Sequence, residues 1–415
     1  MKILFITNQV FDGTLSMGKS LKDKVDLYCL LSVNTSVPNR FEINKSFESD
    51  IVLATEIEEM NLFKDNLSLE KTFILNGNKI SNIFFLLRQS IKIYKLVKKI
   101  NPDIIHCYHE QISPNFLLCL LLTKKPIVLT VHDPIPHSSE HQFKRLFKRK
   151  YTFAVIRNNY ILLNKNQKEA FINKYHKKNK NIYISALSIY DYLVKYQIEK
   201  NKEKSNIFNV LFFGRITRYK GIEYLLEAFE KLQSEGVKNI SFTIAGGYGD
   251  FYFDVEKYSK NQDITLINRV VSNEELVQLI NDSSIVVCPY TDATQSGVIM
   301  SIFAFNKPVI ATNVGGLGEM VDDGKTGILI PPRDVEAIKQ AIKQVYENRD
   351  LLTQMSQNIS NEWQTGKRSW NAIADGLVEI YKDVKNYYEH SINNSRRSRA
   401  TCSTGNTQAI YRNCR

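Results

Sequence analysis

The stretch LFFGRITRYKG, residues 211–221, decides the fold of this 415-residue chain. It begins as an apolar run that ends at Gly214, the pattern of a buried strand, and a helical pattern follows it. Arg215 and Lys220 lie between the strand and the helix. In an open α/β sheet, charges at the carboxyl end of a strand overlook the ligand crevice, so both cations are candidates for binding an anion. Two solvated loop cations are the alternative.

The rest of the second half repeats this strand and helix unit. Apolar residues between 222 and 232 recur at helical spacing and predict one buried stripe. Further predicted strands are SFTIAGG (241–247), IVVCPY (285–290) and PVIATNVGG (308–316). Alternating strands and helices favour a parallel sheet covered on both faces, which predicts a Rossmann-like domain over residues 208–369.

A second candidate binding element is DATQSGVIMSIFAF, residues 292–305. Ser296, Gly297 and Val298 precede a predicted helix, so their N–H groups and the helix dipole offer a place for phosphate oxygens. Gly297 would also allow the backbone to approach a ligand closely. The alternative is that Thr294 or Ser296 only caps a core helix.

The first half alternates in the same way and predicts a second doubly wound domain over residues 1–194. Its predicted strands are KILFIT, VDLYCLL, TFILN, DIIHCY, IVLTVH and YILLN, with helices near 80–100, 113–123 and 166–178. The lysine-rich residues 195–207 are the expected linker. A helix at 370–390 follows the last sheet element, in a position to cross back to the first domain, and residues 391–415 are expected to form a disordered basic tail.

Composition indicates a globular enzyme without membrane-spanning segments. No apolar run approaches the eighteen or so residues that cross a bilayer, and the N-terminus is typical of a strand, not a signal peptide. We therefore expect a cytoplasmic protein. Six cysteines lie far apart without metal-ligand spacing, which predicts neither a disulfide nor a zinc site.

The net charge of +12 is concentrated at residues 91–100 and 144–180. These segments are either solvated helix faces or a surface for anionic lipid or acidic polymer, which would place the protein peripherally on the inner face of the membrane. No nucleic-acid reader motif accompanies them, so a specific nucleic-acid partner is not predicted. A basic surface-binding module without nucleotide preference is one alternative function.

The segment GTLSMGKS, residues 13–20, satisfies the pattern of a phosphate-binding P-loop. In such a loop Lys19 would reach the outer phosphates of ATP or GTP, and a hydroxyl would ligate magnesium. Five residues separate the segment from the first predicted strand, and the helix that follows is short, which disfavours this interpretation. A P-loop nucleotide hydrolase remains the alternative from a different enzyme class.

Taken together, the motifs of the second half resemble one family. The GR-x4-KG loop, the glycine pair after a middle strand, the helix opened by Ser-Gly, and Glu319 with TGILIPP resemble the nucleotide-sugar-binding domain of family 4 glycosyltransferases. These are retaining enzymes of the GT-B fold. The resemblance is dense over roughly residues 205–350 and looser in the first half, through PDIIHCYH and TVHDP. It implies two Rossmann-like domains that face each other across a cleft.

The resemblance also implies roles for single residues. Arg215 and Lys220 would bind the donor diphosphate and stabilise the charge that develops on the departing phosphate. His132 would face the donor sugar from the first domain. A buried core histidine is the alternative for His132, and His106 and His109 match the family histidine less well.

Glycines complete the implied donor site. In the GT-B fold the loop after the first strand contains glycine and faces the cleft, a place that Gly13 and Gly18 would fill, although the usual adjacent glycine pair is missing. The implied donor-binding residues are Gly18, Gly214, Arg215, Lys220, Gly246, Ser296, Gly297 and Val298. The resemblance implies no metal and no cofactor.

One departure from the family concerns two glutamates separated by seven residues, the first near the donor sugar and the second on the nucleotide ribose. This chain has Ala293 and Ser301 at the matching places. A serine cannot accept hydrogen bonds from two hydroxyls as a carboxylate does, so the donor identity is not readable from the motif. A variant group of the family shares this lack.

The predicted function is the transfer of a hexose-type sugar from a nucleotide diphosphate donor to a glycan or lipid-linked acceptor. Retention of configuration, independence of a metal and a place in cell-surface polysaccharide biosynthesis are implied by the resemblance alone. A non-catalytic or donor-altered GT-B relative is the alternative within the same fold.

Overall fold

The computed structural model of the chain contains two α/β domains, each built on a largely parallel sheet. It describes residues 1–8, 11–36, 39, 41–43, 45, 47–77, 83–134, 143–156, 158–178, 181–197, 206–247, 255–293 and 296–403. The first sheet ends at Ile184 and the second begins at Phe208. Most of the expected linker, residues 198–205, lies outside the described residues.

Eight described strands form the sheet of the first domain. They are β1 (Lys2–Thr7), β2 (Asp26–Val33), β3 (Ile51–Leu53), β4 (Thr72–Asn76), β5 (Ile104–Cys107), β6 (Ile127–Val131), β7 (Tyr160–Leu162) and β8 (Ile182–Ile184). Their order is β3-β4-β2-β1-β5-β6-β7-β8, and neighbours pair in parallel except β3 with β4. The short edge strands β3 and β8 were not predicted, because three residues carry too little pattern to separate a strand from a loop.

The helices of the first domain are α1 (Phe11–Leu21), α2 (Ile83–Ile100), α3 (Pro114–Leu122), α4 (Phe143–Val155) and α5 (Lys168–Tyr175). Helix α1 corrects the sequence analysis, since the whole of GTLSMGKS lies inside it. Leu15, Met17 and Leu21 are buried, and this packing outweighs the low helix propensity of the two glycines. The predicted glycine-containing loop is therefore wrong.

The sheet of the second domain contains β9 (Phe208–Phe213), β10 (Ile240–Ala245), β11 (Ile264–Ile267), β12 (Ile285–Cys288), β13 (Val309–Thr312) and β14 (Gly327–Ile330). The order is β11-β10-β9-β12-β13-β14, with every pair parallel. Its helices are α6 (Ile222–Ser234), α7 (Val255–Ser259), α8 (Asn273–Asp282), α9 (Gly297–Phe303), α10 (Leu317–Met320), α11 (Val335–Glu347) and α12 (Asp350–Ile359). Strands β10 and β11 lie on one side of β9, and β12, β13 and β14 lie on the other. The strand order therefore reverses at β9, which makes the gap beside it a topological switch point.

Strand β9 lies in the interior of the sheet. It is the buried strand that the apolar run before Gly214 predicts. Val210 and Leu211 are fully buried, since both faces of a parallel sheet are covered by helices. The predicted apolar stripe of α6 is buried against the sheet, and the ring of Phe229 lies 4.3 Å from that of Phe242 on β10. Asp334 caps α11 by accepting a hydrogen bond from the N–H of Ala337.

The C-terminal helix α13 (Trp370–Ser403) packs on the first domain. The hydroxyl of Tyr381 lies 2.5 Å from Nδ1 of His106, and Lys385 pairs with Asp103 at 3.0 Å. The helix runs thirteen residues beyond the boundary expected at 390, so residues 391–403 are helical and not a disordered tail. Residues 404–415 lie outside the described residues.

No helix within the described ranges is long and apolar enough to cross a membrane. Cys29, Cys107, Cys119 and Cys288 are buried free thiols. Burial raises the pKa of the Cys29 and Cys119 thiols to about 12, because the charged thiolate is poorly solvated there. These four cysteines therefore pack as small apolar side chains.

The contact between the ends of β9 and β10 predicts a strong requirement for glycine at 246. A Cβ atom on Gly246 would lie 1.8 Å from the carbonyl oxygen of Gly214, and its φ of +153° disfavours other residues. We expect Gly246→Ala to lower the free energy of unfolding by at least about 2 kcal/mol in urea denaturation. Gly376→Ala on exposed α13 is the control, since nothing lies within 4 Å of its added Cβ. Equal stability of the two variants would contradict the close-contact argument.

Candidate functional site

A cavity of about 500 Å³ opens between the two domains at the carboxyl ends of β9 and β10. Ligands of open α/β sheets bind at this edge, beside the topological switch. The lining residues are Asp12, Tyr190, Phe213, Gly214, Arg215, Ala245, Gly246, Gly247, Val270, Val271, Leu276, Gly297, Val298 and Ser301. Five residues from the predicted donor site are among them: Gly214, Arg215, Gly246, Gly297 and Val298.

Bare backbone from two adjacent strand ends forms one wall of the cavity. Gly214 and Gly246 follow β9 and β10, and the N–H of Gly214 donates to the carbonyl of Ala245 at 2.9 Å. The absence of side chains at these two positions leaves room for a ligand to approach the strand ends. Arg215 follows directly, exposed and in the cavity lining. The wall therefore combines backbone with one cation.

Helix α9 begins beside this wall, since a Cβ atom on Gly214 would lie 3.5 Å from Cγ2 of Val298. The Ser296 hydroxyl accepts a hydrogen bond from the N–H of Ile299, so Ser296 caps the helix, as the alternative proposed, and it does not line the cavity. Gly297 and Val298 do line it. The ring of Tyr190 packs on Gly297, where a Cβ atom would lie 3.1 Å from the ring. Gly297 thus makes room for a neighbouring aromatic side chain.

The remaining polar wall comes from α1 and from the segment between the two sheets. The N–H of Tyr190 donates to the carbonyl of Met300 at 3.1 Å, which fastens this segment to α9. The hydroxyl of Tyr192 donates to Oδ1 of Asp12 at 2.5 Å, and the N–H of Tyr192 bonds to Ser16 Oγ at 3.4 Å. Tyr190 and Tyr192 therefore join the two domains at the cavity.

Lys220 lies behind the Arg215 loop and is not a lining residue. Its Nζ atom is 3.5 Å from the centre of the Tyr290 ring, a cation–π contact, and only 8% of the residue is exposed. Burial lowers the pKa of Lys220 to about 8, although Cys288 opposes this and Arg215 adds to it. The sequence predicts that Arg215 and Lys220 bind one ligand together. In the structure Arg215 lines the cavity, whereas Lys220 is buried behind it.

His132 follows β6 and is almost fully buried outside the cavity lining. Its Nε2 lies 3.0 Å from the carbonyl oxygen of Tyr108, and since a carbonyl only accepts, Nε2 carries the proton. Burial, with a contribution from His109, lowers the pKa of His132 to about 4, although Glu110 opposes this. His132 is therefore a neutral imidazole at physiological pH.

His106 and His109 lie near His132 in the first domain. His106 is fully buried between Tyr381 and the hydroxyl of Thr130, 2.7 Å from its Nε2. Burial lowers the pKa of His106 to about 3. The rings of His109 and His132 are 5.7 Å apart, and His109 Nδ1 accepts from the N–H of Gln111. His106 thus serves packing between α13 and the first sheet.

The two glycines of GTLSMGKS lie inside α1 and outside the cavity lining. A Cβ on Gly18 would meet Leu67 and the Asn66 carbonyl, and Gly13 packs against Tyr108. The prediction that these glycines form a cleft-facing loop is wrong, because both lie within α1. The amide of Gly18 lies beyond the first helical turn, where backbone N–H groups bond within the helix. A P-loop requires these residues to form a loop, whereas they form a helix with Lys19 exposed in its last turn. The structure therefore does not support the P-loop alternative.

Of the two residues that replace the family glutamates, only Ser301 lies at the cavity. Ser301 lines the cavity, and its hydroxyl donates to the carbonyl of Gly297 at 2.9 Å. Ala293 is buried, and a Cβ on Gly315 would lie 1.5 Å from its carbonyl oxygen. Neither place supplies a carboxylate to the cavity.

Sequence reasoning missed Asp12, Tyr190 and an apolar wall of Val270, Val271 and Leu276. In the structure Val270 is 81% exposed. In the sequence the one local signal was the pair of valines at 270 and 271, shortly before the helix α8. Among the described residues, no group of three or more histidines, cysteines, aspartates or glutamates is arranged to hold a metal ion.

Two family models match successive parts of the chain. Residues 62–179 match Glycosyltransferase Family 4, and residues 195–362 match Glycosyl transferases group 1. The second domain is therefore similar to group 1 glycosyltransferases, and the first domain is similar to Glycosyltransferase Family 4.

Curated relatives are similar over part of their length. Alpha-D-kanosaminyltransferase of Streptomyces kanamyceticus is 30% identical over 42% of this chain and 45% of its own length. An uncharacterised glycosyltransferase of Methanocaldococcus jannaschii is 27% identical over 71% of this chain and 80% of its own. The chain spans less than half the length of most of the relatives compared.

Solved structures of similar shape cover nearly the whole chain. The catalytic domain of starch synthase IV from Arabidopsis thaliana, bound to ADP and acarbose, has a TM-score of 0.65 at 11% identity, over 93% of this chain and 99% of its own. HepE from Anabaena, in complex with UDP and glucose, has a TM-score of 0.62 at 14% identity, over 94% of this chain and 100% of its own. At such identities the likeness concerns the fold, and the chain has the GT-B fold as predicted.

The two buried histidines predict a loss of stability in mild acid. The folded chain keeps His106 neutral to about pH 3, whereas an unfolded histidine takes up a proton near pH 6.5. Below pH 6.5 the unfolded state therefore binds more protons, and stability falls as pH falls. We expect His106→Gln to reduce the loss between pH 6.5 and 5 by about 2 kcal/mol, from urea denaturation at both values. His176→Asn, at an exposed site, should keep the wild-type loss.

Proposed function

We propose that the protein transfers a hexose-type sugar from a nucleotide diphosphate donor to an acceptor that enters the cleft between its two domains. The observation that carries this proposal is the cavity at the carboxyl ends of β9 and β10, where the strand ends at Gly214 and Gly246 lie beside Arg215. A guanidinium is suited to diphosphate oxygens, and glycine at both strand ends leaves room for a ligand to approach. The group 1 and family 4 matches on the two domains support the same reaction class.

The donor would lie with its diphosphate at Arg215 and its base against the apolar wall. Val270, Val271 and Leu276 supply that wall, and planar bases pack readily on apolar side chains. Lys220, mostly protonated at pH 7 with a pKa of about 8, adds positive potential from behind the loop. In this pose the ligand's negative charge meets the cationic side of the cavity.

In the proposed reaction the bond between the anomeric carbon and the diphosphate oxygen breaks, and the nucleoside diphosphate leaves with the electron pair. An acceptor hydroxyl forms the new bond to the same carbon and gives its proton to an oxygen of the departing phosphate. We propose that this occurs with retention and without a metal ion, with Arg215 and Lys220 stabilising the charge on the leaving phosphate. His132, neutral and at the carboxyl end of β6, is proposed to face the sugar when the cleft holds a donor.

Helix α2 supports an acceptor at an anionic membrane surface. Its exposed apolar residues are Ile83, Phe84, Leu87 and Ile91, with Phe84 79% exposed. The helix carries five basic residues and no acidic one, and Arg88 and Lys92 also pair with Asp50. Apolar side chains flanked by cations fit the interface of a bilayer that contains acidic lipid. We propose a lipid-linked glycan acceptor of cell-surface polysaccharide synthesis on this basis.

A donor-altered or non-catalytic relative is the second candidate function. Ala293 and Ser301 favour it, because both lack the carboxylate that the family uses at these places. The GT-B fold alone does not decide, since a UDP-N-acetylglucosamine 2-epimerase is a structural neighbour with a TM-score of 0.59. Nucleotide-sugar binding without transfer to any acceptor would favour this candidate.

The donor proposal predicts which nucleotide stabilises the protein. We expect one of UDP, ADP or GDP, with its hexose conjugate, to raise stability by about 2.7 kcal/mol at a hundred times its dissociation constant in a thermal-shift assay. Arg215→Met removes a charged hydrogen-bond donor and should weaken that binding at least about tenfold. Lys19→Met, on the exposed face of α1, is the matched control and should bind as wild type. Stabilisation by ATP with magnesium that depends on Lys19 would contradict the proposal.

The membrane proposal predicts selective flotation with vesicles. We expect the wild-type chain to float with vesicles of phosphatidylcholine and phosphatidylglycerol but not with phosphatidylcholine alone. Phe84→Ser combined with Leu87→Ser should abolish flotation, because both apolar anchors are lost. Ile207→Ser removes an exposed apolar residue elsewhere and should leave it unchanged. If wild type fails to float with either vesicle, the membrane surface is not a partner.

A further inference from the structure

The cavity contains one carboxylate, that of Asp12, among the described residues that line it. Asp12 stands in the first turn of α1, in the first domain, whereas Arg215 and the bare backbone belong to the second. Any ligand that fills the cavity therefore meets a cation on one side and an anion on the other. The first domain therefore contributes a charged side chain to the cavity.

Asp12 is held in place by the segment that joins the two sheets. The Tyr192 hydroxyl donates to Oδ1 of Asp12 at 2.5 Å, and Tyr192 itself is 1% exposed. The adjacent Tyr190 is bonded to α9 through its N–H. A side chain whose hydrogen-bond donor is rigidly buried loses little further entropy when it binds a ligand. The carboxylate is thus preorganised at the cavity wall.

The charge of Asp12 restricts which part of a donor can lie beside it. A carboxylate repels a diphosphate, and the repulsion is strong in a partly enclosed site. A sugar, by contrast, offers several hydroxyl donors, and a carboxylate can accept several hydrogen bonds at once. The hexose is the part of a nucleotide sugar that suits this wall, while the diphosphate suits the Arg215 side.

We propose that Asp12 binds hydroxyl groups of the donor sugar and so supplies, from the first domain, the carboxylate that Ala293 and Ser301 leave out of the second. Ser301 lines the same cavity, but its hydroxyl already donates a hydrogen bond to the Gly297 carbonyl. Tyr192 is the positioning residue for Asp12. This inference rests on the proposed function, because it assumes that the cavity holds a nucleotide sugar.

The test compares affinity for a nucleotide with affinity for the corresponding nucleotide sugar. Isothermal titration of the full chain would use UDP with UDP-glucose, ADP with ADP-glucose and GDP with GDP-mannose. The variants are Asp12→Asn, which keeps an oxygen for the Tyr192 hydroxyl but removes the charge, and Tyr192→Phe, which removes only the bond that positions Asp12. Asp23→Asn, an exposed aspartate just beyond α1, is the matched control.

We expect wild type to bind one nucleotide sugar more tightly than its nucleotide. In Asp12→Asn the affinity for the nucleotide should stay within about twofold of wild type, while the extra affinity from the sugar falls about tenfold. Tyr192→Phe should lose part of that extra affinity, and Asp23→Asn none.

Two results would overturn the assignment of Asp12 alone. One is an unchanged ratio of the two affinities in Asp12→Asn, and the other is a wild-type protein that binds a nucleotide but gains nothing from its sugar. Failure of wild type to bind any nucleotide or nucleotide sugar would instead overturn the proposed function, and the Asp12 assignment with it. The nucleotide arm thus separates the two failures.

Discussion

The contact between the carbonyl of Gly214 and the α-carbon of Gly246 is the constraint on which the site depends. It brings the ends of two parallel strands so close that no side chain fits between them at Gly246. Both glycines line the cavity, and Arg215 follows the first of them directly. The apolar wall, α9 and Asp12 of the first domain complete the lining around these strand ends.

The second domain was largely predictable because its signals are local. A strand that ends in glycine and a stripe at helical spacing each act over a few residues, and β9 and α6 appear where these patterns place them. The position of Gly214 and Arg215 at the cavity followed from the same reasoning, since the two residues are adjacent in sequence. What could not be read was the withdrawal of Lys220, because its environment is the Tyr290 ring, seventy residues further along the chain.

The first domain shows where a pattern of residues misleads. GTLSMGKS carries every residue type of a phosphate loop, yet its apolar residues are needed in the core, and burying them requires a helix. The role of Asp12 and Tyr190 in the cavity was also beyond prediction, since it depends on how two domains meet, and no local spacing encodes that. Residues 391–403 were assigned to a tail for lack of apolar periodicity, whereas they continue a helix whose earlier turns are anchored on His106 and Asp103.

Helix α13 and the segment that contains Tyr190 and Tyr192 are two separate crossings between the domains. A body attached to another at one point can swivel in any direction, but attachment at two points leaves rotation about the line that joins them. The two crossings therefore restrict how the walls on either side of the cavity can move relative to each other. A ligand that bridges Asp12 and Arg215 would contact walls that are already held in place by the chain itself.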